Sequence, residues 1–137
     1  MKYLFYPGCS LKSLSQEYEK SAQAVMRELG VELAELPDWN CCGAIDAVHA
    51  YNPVLSISLS ARNLALAESM KMDIVTLCSA CLFTLSRAKN MLLQNADVKG
   101  KVEKAINDAG LKYTGGVKVR HYMDILANDV EFDKIRQ

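Results

Sequence analysis

Apolar and polar positions along this chain alternate between two periods. Residues 2–6 (Lys-Tyr-Leu-Phe-Tyr) alternate in part and are rich in aromatics, which predicts a strand ended by Pro7 and Gly8. Ser13 and Gln16 have the spacing of a capping box, so a helix is expected to follow and run to about Leu29. Tyr18, Ala22, Val25, Met26 and Leu29 fall at offsets 0, 4, 7, 8 and 11, one face of that helix, and Gly30 suits its C-terminal stop. Residues 31–36 read as a second strand ended by Pro37, and residues 38–43 as a loop. Asn52 and Pro53 mark the next helix start, since Asn caps and Pro tolerates the first turn. That helix is expected to reach about Met70. It is apolar on more than one side (Val54, Leu55, Ile57, Leu59, Leu64, Leu66), as a well-buried helix is. Residues 73–77 predict a third strand. Helices follow over about 80–94 and 98–109, the second closed by Gly110. After a Gly115-Gly116 turn, residues 117–121 read as a fourth strand, and a last helix starts near Tyr122.

Strands alternate with helices, and no short hairpin turn joins consecutive strands. The expected fold class is therefore α/β: a small doubly wound, mainly parallel four-stranded sheet with helices on both faces. Right-handed crossovers make 2-1-3-4 the simplest strand order. The 137 residues are expected to form a single domain, 1–137, and half of them are apolar, enough for one continuous core.

Charge narrows the function classes. Sixteen basic residues balance 16 acidic ones, so no net field favours nucleic acid or a membrane surface. The apolar run at the N-terminus is too short for a signal-peptide core. No stretch approaches the roughly 20 apolar residues of a membrane span. A soluble, cytoplasmic location is expected.

The cysteines carry the chemistry. Cys9, Cys41, Cys42, Cys78 and Cys81 are spaced C-x31-CC-x35-C-x-x-C, and each group follows a predicted strand. In open α/β sheets, sites form outside the carboxyl ends of strands, so this pattern brings five soft ligands to one sheet edge. An odd number argues against a closed disulfide framework, and clustered cysteines in a reducing compartment more often serve metals or redox chemistry. A zinc ion takes four ligands, usually from two short C-x2-4-C hooks, of which only Cys78-Ser79-Ala80-Cys81 is present. An ordinary iron–sulfur cubane also takes four thiolates. Five suggest a larger or less symmetric centre, or one thiol with a separate role. Cys78 and Cys81 straddle a predicted helix start, where backbone N–H groups favour anionic sulfur by ~0.3–1 kcal/mol per charge.

Together, Tyr6-Pro7-Gly8-Cys9-Ser10, Cys41-Cys42-Gly43 and Cys78-Ser79-Ala80-Cys81 resemble the CCG-type cysteine-rich domain, and more closely the N-terminal half of the B-subunit family of heterodisulfide reductases. The likeness extends to residues 119–126, Val-Arg-His-Tyr-Met-Asp-Ile-Leu. Members of that family usually carry two copies of the motif in about twice this length. The resemblance therefore implies that 1–137 is the N-terminal half of a longer two-domain chain, ending here in the charged stretch 131–137. It further implies a noncubane [4Fe–4S] cluster with Cys9, Cys41, Cys42, Cys78 and Cys81 as ligands, one thiolate bridging irons. The implied activity is an oxidoreductase that cleaves a small-molecule disulfide by successive one-electron reductions, fed by companion iron–sulfur and flavin subunits. In the methanogenic enzymes the disulfide joins coenzyme M and coenzyme B. The alternatives are a structural zinc-binding domain, and an electron-relay domain of a flavin dehydrogenase or fumarate reductase complex. A surface left uncovered by the missing half predicts a homodimer of this chain.

Other residues have plainer roles beside the sharper ones. His49 and His121 are the only histidines; His49 is a candidate proton donor or spare ligand and His121 a candidate hydrogen-bond partner near the site, each against a local packing role. Trp39 reads as a hydrophobic cover next to Asn40. Pro7, Gly8 and Gly43 read as shapers of backbone near the cofactor. Lys12 reads as a solvated lysine, with balance of cluster charge as the sharper alternative. The methionines read as core filler.

Overall fold

The structure is a computed structural model that describes residues 1–136, apart from the side chains of Asp46, Ala47 and Phe132. Four parallel strands form one sheet in the order β2-β1-β3-β4: β1 (Lys2–Tyr6), β2 (Glu32–Glu35), β3 (Ile74–Thr76) and β4 (Val119–His121). The α/β class, the parallel sheet and the strand order are those expected from the sequence. Three of the strands are shorter than their apolar runs, because residues such as Val31, Leu36, Leu77 and Val117 are buried beyond the paired segment.

Alternation along β1 divides the core into two faces. Leu4 and Tyr6, with Ile74 of β3, pack against α4 (Pro53–Ser69), α5 (Ser79–Gln94) and α6 (Ala96–Asp108). Phe5, Tyr3 and Val75 point to the other face, toward α2 (Gln16–Glu28) and α7 (Tyr122–Asn128). Both faces are thus covered, as an all-parallel sheet requires. Leu4, Phe5, Tyr6, Leu64, Ile74 and Leu85 are fully buried, and each such side chain contributes about 1.5–3 kcal/mol through burial.

Local signals hold where side chain and backbone agree. Asn52 caps α4, its Oδ1 accepting from the Leu55 N–H at 3.0 Å, with Pro53 in the first turn. Asn95 caps α6 in the same way. The capping box at Ser13 and Gln16 is a correction. The helix starts at Gln16 with Ser15 as its cap residue and no side-chain cap bond. The Ser13 hydroxyl instead donates back to the Cys9 carbonyl at 2.8 Å, and Gln16 donates to the Lys12 carbonyl. Both are recruited by a helical turn that the sequence pattern does not announce, α1 (Gly8–Leu11). Of the predicted α2 face, Ala22 and Met26 are buried, whereas Tyr18 and Val25 are largely exposed. A second unannounced helix, α3 (Asp46–Tyr51), occupies the segment after the cysteine pair. In the charged end of the chain, α8 (Phe132–Ile135) forms a short turn, and Gln137 lies outside the described residues.

Candidate functional site

The five cysteines come from three places at the carboxyl edge of the sheet. Cys9 lies in α1, immediately after β1; Cys41 and Cys42 lie in the loop after β2; Cys78 is the cap residue of α5, just past β3, and Cys81 sits in that helix's first turn. Cys9 is exposed, Cys41 and Cys78 are half-buried, and Cys42 and Cys81 are buried. The thiols neighbour one another in a row: Cys9 acts on the proton affinity of Cys41, Cys41 on that of Cys42, and Cys42 and Cys78 on that of Cys81. The Cys42 and Cys81 Sγ atoms are 3.5 Å apart. Thiols from three distant stretches of sequence are thus brought to the same edge of the sheet.

The backbone around them is shaped for sulfur. Gly8 adopts φ +70°, and a Cβ there would lie 2.9 Å from Cys81 Sγ. Gly43 adopts φ +86°, and a Cβ there would meet the Ser56 carbonyl oxygen at 2.6 Å. Each position needs glycine twice over, for the left-handed backbone and for the close approach. The Gly43 N–H points to Cys41 Sγ at 3.5 Å, and the Ala44 backbone lowers the proton affinity of Cys42.

Proton affinities differ across the row. The hydrogen bond from Cys81 is the largest cause that lowers Cys42 to about 6, and Ala44, Cys41 and Thr84 lower it further against the effect of burial. Cys81 is pushed up, first by the same hydrogen bond and then by burial. The two share one proton, and the donors around Cys42 place the charge there. Burial raises Cys41. Tyr6 lies beneath the row, its hydroxyl donating to the Asn40 carbonyl at 2.8 Å, and burial followed by repulsion from the nearby thiolates raises it strongly.

The cysteine loop is held by one face of α4. Ser56 Oγ donates to the Gly43 carbonyl at 2.7 Å, Ser60 Oγ to the Cys42 carbonyl at 2.5 Å, and Asn63 both accepts from the Asn40 N–H (3.0 Å) and donates to its carbonyl (2.9 Å). All three side chains are buried. None of them is among the residues singled out from the sequence. The available signal was the recurrence of polar residues at offsets 0, 4 and 7 in an otherwise apolar helix, which lays three hydrogen-bonding groups along one stripe.

The remaining candidates separate clearly. His121 ends β4 with its Nε2 3.0 Å from the Leu77 carbonyl and its Nδ1 accepting from the Met123 N–H, so both ring nitrogens serve local structure. His49, in α3, lies 3.0 Å from Arg87 Nη1. Trp39 packs edge-on against Tyr6 with ring centroids 5.7 Å apart and donates to Glu35, which makes it a cover for the site. Lys12 pairs with Glu19 and Glu35 at 2.8 and 2.7 Å, neither free in solvent nor directed at the sulfurs. Among the described residues, no three His, Cys, Asp or Glu side chains converge on one point suited to a single metal ion. Among those residues, too, no helix is long and apolar enough to cross a membrane.

Comparison with known proteins agrees with this arrangement. The chain is 37% identical over 130 residues to the membrane anchor of the 8-methylmenaquinol:fumarate reductase of Wolinella succinogenes, covering 95% of this chain and 45% of that protein. It is 30% identical over 137 residues to a protein of Archaeoglobus profundus described as like the B-subunit of heterodisulfide reductase, covering all of this chain and 46% of the relative. It is 26% identical over 135 residues to the B-subunit of the ferredoxin/F(420)H(2)-dependent CoB-CoM heterodisulfide reductase of Methanosarcina acetivorans, covering 98% of this chain and 45% of the relative. The chain thus spans a little under half the length of these relatives. A crystal structure of a hypothetical protein from Helicobacter pylori shares the fold, with a TM-score of 0.78 and 17% identity over 93% of this chain and 25% of that one. The family model described as "CCG: Cysteine-rich domain" matches residues 3–86, the segment that carries all five cysteines, and the chain belongs to that family.

Proposed function

We propose that this chain is the N-terminal iron–sulfur module of a heterodisulfide reductase-like oxidoreductase, holding a noncubane [4Fe–4S] cluster on Cys9, Cys41, Cys42, Cys78 and Cys81. The observation that carries this reading is the gathering of five thiols beyond the carboxyl ends of three adjacent strands, with the Cys42 and Cys81 sulfurs 3.5 Å apart. The donor set fits a multi-iron centre: five soft ligands, two glycines where a Cβ would intrude, and backbone N–H groups directed at sulfur. The alternative of zinc is less well matched, because such a site usually takes two short C-x2-4-C hooks and the chain has one, Cys78–Cys81.

When bound, the cluster supplies electrons singly to a disulfide. Overall, the S–S bond of a small organic disulfide breaks, two electrons and two protons are consumed, and two thiols leave. The electrons come from companion iron–sulfur and flavin subunits. The protein's own part is positional. The α5 N-terminus and the Gly43 and Ala44 N–H groups stabilise negative charge on sulfur, and Trp39 and Tyr6 limit water beneath the row. The relatives' greater length supports a second domain after this one in the native protein. A cytoplasmic location follows from the need to keep five thiols reduced, and the chain on its own is expected to form a homodimer across the face that a second domain would cover.

The test is anaerobic purification, iron and sulfide determination, and freeze-quench electron paramagnetic resonance after a disulfide is added to the reduced protein. About four irons per chain and a new disulfide-dependent signal support the reading; zinc without a redox signal overturns it. A second reading is favoured by the fumarate reductase relative, which has the highest identity of the three compared. On it, the domain relays electrons without substrate chemistry, and its cluster would be reducible yet indifferent to disulfides.

A further inference from the structure

At the amino edge of the sheet, the end away from the thiols, a narrow cleft opens between the last turn of α5, one side of α6 and the loop that leads into β4. Cys81 lies in the first turn of α5 and Leu92 near its end, roughly 17 Å along the helix at 1.5 Å per residue. Leu92 and Ile106 are buried along the cleft, and Leu93, 65% exposed, stands at its mouth. Tyr113 lines it as well. Its side chain is only 9% exposed, and its hydroxyl is the one buried side-chain polar atom among the described residues without a hydrogen-bond partner. Buried polar groups are nearly always paired, so an orphan of this kind points to something that completes it. The neighbouring polar groups are already engaged. Glu68 of α4 accepts from the Thr114 N–H at 2.6 Å, the Thr114 hydroxyl at 3.0 Å and the Gly116 N–H at 2.6 Å, and Lys99 pairs with Glu103 at 3.6 Å. Burial, and then the negative charge of Glu68, push the Tyr113 phenol up to about 12, so it remains a donor at neutral pH.

We propose that this cleft is a ligand site separate from the thiols, taking a small uncharged ring compound with one carbonyl oxygen, that oxygen accepting from the Tyr113 hydroxyl and the ring lying among Leu92, Leu93 and Ile106. A slot that is apolar apart from one free donor matches an apolar ligand with one acceptor. Its narrowness limits the occupant to about one ring. A carboxylate in the same place would be repelled by Glu68, whose charge reaches the phenol. No cysteine lines the cleft, and the inference is independent of the redox reading given above.

The experiment is an amide NMR titration of the anaerobically purified chain with three probes: cyclohexanone, methylenecyclohexane (the same shape without the acceptor) and cyclohexanecarboxylate. Cyclohexanone is expected to shift the Leu93, Glu103 and Gly115 amides saturably in wild type. Tyr113→Phe should weaken cyclohexanone about threefold or more through loss of the hydrogen bond, and leave methylenecyclohexane unchanged or tighter. The carboxylate should bind more weakly than cyclohexanone. Tyr113→Phe should also melt no lower than wild type, because it removes a hydroxyl that has no partner in the free protein. Leu93→Ser, at an exposed position, should loosen both neutral probes at unchanged melting temperature. The proposal is overturned by any of five results: no saturable shift in wild type, equal cyclohexanone affinity in Tyr113→Phe, equal weakening of both neutral probes by that variant, tighter binding of the carboxylate, or a lower melting temperature of Tyr113→Phe, which would mean that water already serves the hydroxyl. Protein that lacks iron yet passes these tests would sink the cluster reading and leave this site standing.

Discussion

Asn63 of α4, fully buried, holds the backbone of Asn40 from both sides: its Oδ1 accepts the Asn40 N–H and its Nδ2 donates to the Asn40 carbonyl. It thereby stands in for a strand partner to the loop that carries Cys41 and Cys42. Replacing it with Leu keeps the volume, leaves the Asn40 N–H unpaired and leaves the Asn40 carbonyl to the Tyr6 hydroxyl alone. Asn63→Leu is expected to destabilise the protein by roughly 1–3 kcal/mol and to lower iron retention after anaerobic reconstitution. Urea denaturation and iron content measure the two effects; unchanged values in both would remove Asn63 from the site's support.

The two glycines at the site are expected to fail differently. In Gly43→Ala the new methyl meets a backbone carbonyl, which moves only with α4, and the left-handed conformation adds strain. A loss of about 2–4 kcal/mol is expected. In Gly8→Ala the obstacle is a side chain, Cys81 Sγ. Thermal unfolding should show a smaller loss of about 1–2 kcal/mol, with iron content falling more than stability does.

Removing thiols tests the ligand set. Cys42→Ser and Cys81→Ser take away the buried centre of the row, and iron per chain is expected to fall to background in both. Cys9→Ser, at the exposed end of the row, is expected to leave a labile cluster that bleaches faster in air. Full iron content in Cys42→Ser would contradict the proposed ligation.

Acid sensitivity should centre on Asp129. Hydrogen bonds from Arg120 and then Tyr3 hold its carboxyl below the usual carboxylate range. A folded value below the unfolded one means that the stabilisation is complete above the unfolded value, about 3.9, and is lost as pH falls through the folded value. Asp129→Asn is expected to cost about 1 kcal/mol at pH 7 after solvent screening. The gap between variant and wild type should close as pH falls through that lowered folded value. Urea titrations at several pH values check this, and a gap that persists in acid would assign it to packing instead.

Much of the architecture was legible because period and punctuation agreed. Asn52-Pro53, Asn95 and Gly110 mark helix ends through their own backbone and side-chain chemistry, and the alternation in residues 2–6 divides the core as observed. The placement of the cysteines followed from strand order alone. What escaped was tertiary. Ser13 leaves its expected capping role because the Cys9 carbonyl, presented by the turn α1, is a nearer acceptor. The polar stripe Ser56, Ser60, Asn63 looked incidental among apolar neighbours, since only the folded loop supplies its partners. The His49–Arg87 pair joins two helices 38 residues apart, a distance over which no periodicity speaks.

The central place of β1 also fixes a timetable. Of the four described strands it is made first, yet it needs a neighbour on each side, and the inner one, β3, begins only at Ile74. Until β3 docks, the thiols of Cys78 and Cys81 have no route to those of Cys9 and Cys42. Iron offered to a nascent chain would find only scattered, mismatched hooks. Whatever loads this protein is therefore expected to act on a domain already closed around its middle strand, and to approach from the side of the exposed Cys9.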